Sequence, residues 1–71
     1  MTYRKGDSAP CIANVKRKLN VFPVDTSFDD LLAQRVRGIQ SVFGIPVSGV
    51  LDSETAAAAG VSHLMEDRWT A

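Results

Sequence analysis

One cysteine, one histidine, one tryptophan and one tyrosine occur in 71 residues, and each scarcity removes a class of function. A single cysteine, Cys11, cannot close an internal disulfide, so no oxidising compartment is implied and the residue reads as a small buried hydrophobe. A catalytic zinc needs three protein ligands, and neither Cys11 nor His63 has a companion at ligand spacing. Nucleophilic catalysis would need Cys11 or a serine oriented by His63, yet Cys11 falls in a first helical turn and His63 in the tail. No residue is assigned to catalysis, metal or cofactor, and the chain is not expected to be an enzyme.

Charge of one sign is also lacking. Eight basic residues balance eight acidic ones, which removes the electrostatic footprint that nucleic acid requires. The local run Lys16-Arg17-Lys18, with Arg4 and Lys5 upstream, lies among apolar positions at helical spacing and reads as a solvated helix face. No membrane span is suggested, and no basic segment followed by an apolar run opens the chain, so no secretory signal is expected. Met1 fits a complete short product.

What is present is ordinary globular usage: 45% hydrophobic and 23% charged residues place the chain among soluble folded domains. A chain this short holds one domain, and folding should bury only about 60 to 65% of the surface the unfolded chain exposes. Ahead of Pro10, Gly6-Asp7-Ser8 supplies cap-type residues, so a helix is expected to begin near Ser8. Ile12, Val15 and Leu19 form one apolar stripe, and the helix should end by about Asn20, with Pro23 closing the segment. Asp29 and Asp30 suit a second helix start. Leu32, Val36, Ile39 and Phe43 give its stripe, and Gly44 its left-handed cap. Asp52-Ser53-Glu54-Thr55 starts a third helix, bounded by Gly60.

Two stretches repeat one pattern. Pro23, Val24, Phe28, Asp29 and Ala33 stand 23 residues before Pro46, Val47, Leu51, Asp52 and Ala56. The preceding helices match at a shift of 24, Val15-Lys16 with Ile39-Gln40. Each copy is helix, turn, an apolar plug and an Asp-capped helix, and the copies share the middle helix. An all-α, three-helix domain with internal pseudo-repeat follows, over residues 1–61, with 62–71 as a C-terminal tail.

The stretches "YRKGDSAPCIANVKRKLN", "VDTSF" and "VRGIQSVFGIPVSGVLDSET" resemble the peptidoglycan-binding domain often appended to bacterial cell-wall hydrolases. The resemblance runs roughly from Tyr3 to Val61 and is most specific in the second half. There Val36, Ile39 and Gln40, then Gly44, Ile45, Pro46, Val47, Gly49, Val50 and Thr55, follow the family pattern in step. The first half departs: Lys16 stands where the family has glutamine, and Asp25-Thr26 and Phe28-Asp29 lack the family's glycines. The resemblance implies the three-helix fold and a non-catalytic module that binds peptidoglycan, through its glycan or stem peptide, near the loops around the second helix.

Asp29 and Asp52 are equivalent in the repeat and read as helix N-caps rather than as an acid/base pair. Asp25, in the turn, could accept hydrogen bonds from ligand hydroxyls or amides, or from its own turn. Arg35 could pair with a stem-peptide carboxylate, and Gln40 could present its amide to a ligand or brace a loop. Asp25, Arg35 and Gln40 are the candidate ligand residues. In the tail, Leu64, Met65 and Trp69 could pack back onto the core or dock on a partner, and a short C-terminal helix would put Met65 and Trp69 on one face. The alternative to wall binding is a structural or interaction protein of the same fold, such as a small bacteriophage virion component that binds another protein or self-assembles. The location would be cell wall-associated or a virion.

Overall fold

Each of the three helices stops in the same way, and the stops position everything else. In the computed structural model, which describes residues 2–64, the helices are α1 (Pro10–Leu19), α2 (Asp30–Val42) and α3 (Ser53–Ala59), followed by a single 3₁₀ turn at Ser62–Leu64. Asn20, Gly44 and Gly60 take left-handed backbone at φ 58°, 71° and 76°. The amide of the next residue, Val21, Ile45 or Val61, donates back to the carbonyl of Lys16, Gln40 or Ala56 at 2.9 Å. That double back-bond reverses the chain and satisfies carbonyls a helix end would otherwise leave open. Val21 and Val61 are thereby carried into the core.

Helix starts are equally repetitive in the second and third helices. Asp29 accepts the amide of Leu32 and Asp52 that of Thr55, in near-identical extended backbone, as expected of N-caps. The first helix differs from expectation. It begins at Pro10, with Ala9 at the cap position and no side-chain cap. Ser8 is not available to it because Ser8 lies in an isolated antiparallel bridge with Ser27, and the Ala9 amide donates to the Thr26 carbonyl.

The N-terminal arm ties both copies together. Tyr3 exchanges two backbone hydrogen bonds with Leu51, at 3.0 and 2.7 Å, while Gly6 donates to Phe28 and Phe28 to Asp7. Phe28 and Leu51, the plugs of the two repeats, are both buried, as are Ala33 and Ala56 behind them. With Ile12, Val15, Leu32 and Val36 they make one core. No strand forms among the described residues, and no helix there is long and apolar enough to cross a membrane.

Two sequence expectations need correction. Phe43 does not continue the core stripe of α2; it is exposed, and the buried position on that face is Gln40. Phe43 is the C-cap residue, past the last helical position Val42, and it lines the open groove together with Ile39, which is only half-buried. Lys16 is the second correction: it is fully buried, while its neighbours Arg17 and Lys18 are exposed, so only part of the basic run is a solvated face.

Candidate functional site

Lys16 and Gln40 carry the two turns. The Lys16 ammonium donates to Asp25 Oδ1 at 2.6 Å and to Asp29 Oδ2 at 3.0 Å. Asp25 Oδ1 also accepts the Ser27 amide, and Asp29 caps α2 through its other oxygen. One lysine therefore spans the first loop, holding its start through the backbone bond from Val21, its middle through Asp25 and its end through Asp29. Burial works against the charged lysine, but hydrogen bonds and attraction from Asp25 and Asp29 outweigh it and hold its pKa above the ordinary range. The Asp25 carboxyl is held below its ordinary range by the lysine first and the Ser27 amide second. Burial pushes Asp29 up, yet the Leu32 amide and the lysine prevail, and its pKa is lowered.

Gln40 does the same for the second loop without charge. Its Oε1 accepts the amides of Ser48 and Gly49, each at 3.0 Å. Its Nε2 donates to the Val50 carbonyl and the Thr55 hydroxyl at 3.0 Å, and reaches Ser48 Oγ at 3.2 Å. Thr55 in turn supports Asp52, whose pKa is lowered by the Thr55 backbone amide and then its hydroxyl. Gly49 lies at φ 78°, left-handed backbone that side chains with a Cβ rarely adopt, so the loop needs glycine there. No buried side-chain polar atom among the described residues lacks a partner.

Outside this frame lies an open groove of about 730 Å³, formed where the Asn20–Phe22 turn stands away from one side of α2. Phe22, Leu31, Ile39, Val42 and Phe43 give it apolar walls, with Gln34, Arg35 and Gly38 between them. Phe22 is 64% and Val42 81% exposed, so apolar side chains stand open to solvent along this side of α2. Arg35 is the one charged side chain of the lining, and among the described residues no acidic group pairs with it.

The three candidate ligand residues are thus not brought together. Arg35 lines the groove. Asp25 is half-exposed but is tied into the lysine clamp and its own turn, and it is not part of the groove lining. Gln40 is fully buried with its amide committed to the second loop, so it braces and does not face solvent. Leu64 is partly buried against the core; Met65 and Trp69 lie outside the described residues. Reasoning from sequence missed Phe22, Leu31 and Val42 as groove residues, although Leu31 and Val42 each flank the α2 stripe by one position. It also missed the burial of Lys16, for which the signal was its equivalence with Gln40. Cys11 is buried, His63 is exposed, and among the described residues no group of three His, Cys, Asp or Glu side chains could hold a metal.

Three helices, two braced turns and a groove beside the middle helix define a small all-α domain of duplicated design. The family model described as "Putative peptidoglycan binding domain" matches residues 10–59, from the first residue of α1 to the last of α3, and the chain belongs to this family. Comparison with curated proteins gives no match, and comparison with solved structures gives none.

Proposed function

We propose that the chain is a non-catalytic module that binds peptidoglycan through the groove between the Asn20–Phe22 turn and α2. Membership of the family supports the ligand. The observation that carries the choice of surface is Arg35, a guanidinium with no ion pair among the described residues, set among exposed apolar side chains. A stem peptide offers the matching chemistry, small apolar side chains next to carboxylates, and a guanidinium recognises a carboxylate with two parallel hydrogen bonds. Phe22, Val42 and Phe43 would cover the apolar part of such a ligand. Asp25 and Gln40 act in this reading as braces of the loops and not as ligand contacts.

Titration of the ¹⁵N-labelled chain with soluble stem-peptide fragments of the wall tests this reading. Amide shifts concentrated at Gln34, Arg35, Gly38 and Ile39 and at Phe22 are expected. Shifts confined to the Ser48–Val50 loop, or none, would refute the groove.

The apolar share of the groove favours a second reading, a structural or interaction role on the same fold, in which another protein covers Phe22, Leu31, Val42 and Phe43. The two separate by charge: binding that survives Arg35→Ala but fails with Val42→Asp supports the protein partner.

A further inference from the structure

The two loops of the repeat are braced by side chains at equivalent positions, but one brace is ionic and the other neutral. We infer that Lys16 is a positioning residue of the groove. Its clamp on two carboxylates keeps the Asn20–Phe22 wall in place at neutral pH and releases it in acid, while the loop held by Gln40 stays shut. This regulates the groove assigned above, and its consequence for ligand retention rests on that assignment.

The argument is one of satisfied charge. Lys16 has no exposed surface, and a buried ammonium is tolerated only while its partners are ionised and within hydrogen-bond reach. Those partners are Asp25 from the loop and Asp29 from the α2 cap. Protonation of the two removes the charges that offset the buried cation, which then gains by reaching water. The route to water is past the two carboxylates, since the Asp25 and Asp29 side chains that cover the ammonium are themselves partly exposed; Asp25 belongs to the loop that begins at Val21, and Val21 and Phe22 line the groove.

Other titrating groups around the clamp do not reproduce this. Asp30 is paired outward with Lys5 at 3.2 Å, with both side chains mostly exposed. Asp7 accepts the Arg4 amide, Arg17 donates to Asn14, and Lys18 is exposed. Loss of the Asp29 cap in acid is matched by loss of the Asp52 cap in the other copy. Two differences between the copies are left, the lysine clamp and the bond from the Ser27 amide to Asp25, whose counterpart in the second loop is the bond from the Val50 amide to the neutral Ser48 hydroxyl. Gln40 carries no titrating group, so the second loop is an internal control.

Amide hydrogen exchange followed by NMR on the full chain at pH 6 and pH 3 reads the difference without any ligand. The equivalent pairs are Val21 with Ile45 and Phe28 with Leu51, all donors of backbone hydrogen bonds. Protection of Val21 and Phe28 is expected to fall by about tenfold or more relative to Ile45 and Leu51, as loss of the partners of a buried charge would require. Equal loss at all four amides, or loss at none, would overturn the inference. In Lys16→Gln, whose side chain is neutral like that of Gln40, the acid fall of the ratio should be smaller than in the wild type, with the bond from the Ser27 amide to Asp25 the remaining titrating contact, and an undiminished fall would also overturn it. Should that variant not fold, the wild-type comparison decides alone. Because no ligand is present, failure here leaves the groove assignment untouched, and failure of the groove titration leaves this result standing.

Discussion

Lys16 and Gln40 stand 24 residues apart in sequence, occupy the same place in two copies of one unit, and each, fully buried, reaches into the loop that follows it. The repeat is therefore more than a repeat of helices. Each copy ends its helix with a left-handed residue, braces the next loop from that helix's last turns, and caps the following helix with Asp. The ionic brace needed two aspartates where the neutral one uses backbone groups and two hydroxyls, which accounts for Asp25 in the first loop.

Gln40→Leu tests the neutral brace. The substitution leaves the Ser48 and Gly49 amides, the Val50 carbonyl and the Thr55 hydroxyl without the partner they share, and of these residues Gly49 and Thr55 are buried. A loss of about 2–4 kcal/mol of unfolding free energy is expected, measured by urea denaturation. A loss under about 0.5 kcal/mol would contradict the role given to this side chain.

The two caps can be compared directly. Asp52→Ala should cost about 1 kcal/mol, the ordinary value of an N-cap. Asp29→Ala removes a cap and also one of the two partners of a buried lysine, so its loss should be the larger. Equal losses in parallel urea titrations would mean that the Lys16–Asp29 pair adds nothing.

Stability should depend on pH through the same groups. Asp25, Asp29 and Asp52 have lowered pKa values, so their contribution is complete above the ordinary carboxylate range and is lost as pH falls through their lowered values. Lys16 is raised, so its contribution is complete below the ordinary lysine range and is lost as pH rises through the raised value. Melting temperature followed by circular dichroism should hold a plateau between about pH 5 and pH 9 and fall on the acid side. In Lys16→Met the acid fall should be shallower. A melting temperature that rises below pH 4 would contradict these signs.

Much of the fold was legible because it is written locally. Asp29, Asp52, Gly44 and Gly60 announce helix ends by backbone chemistry that depends on few neighbours, and the 23-residue spacing of Phe28 and Leu51 marks equivalent plugs. The start of α1 was not legible, since Ser8 suits a cap but is used in pairing with Ser27, a contact between distant segments. Lys16 misled for a related reason. A lysine in a basic run reads as exposed unless the loop beyond brings carboxylates to it. Of the candidate site, Arg35 was legible as an exposed helical arginine, while the groove was not, because it exists only where the Asn20–Phe22 turn stands beside α2.

Co-sedimentation of the purified chain with insoluble peptidoglycan, beside an Arg35→Glu variant and an unrelated small protein, tests the central claim most directly. Arg35 is exposed and has no ion pair among the described residues, so reversing its charge should leave the fold intact, which circular dichroism checks. The account expects saturable retention of the wild type, weakened at least about tenfold in the variant, the equivalent of about 1.4 kcal/mol. Retention no greater than that of the unrelated protein, or equal retention of a folded Arg35→Glu variant, would contradict it.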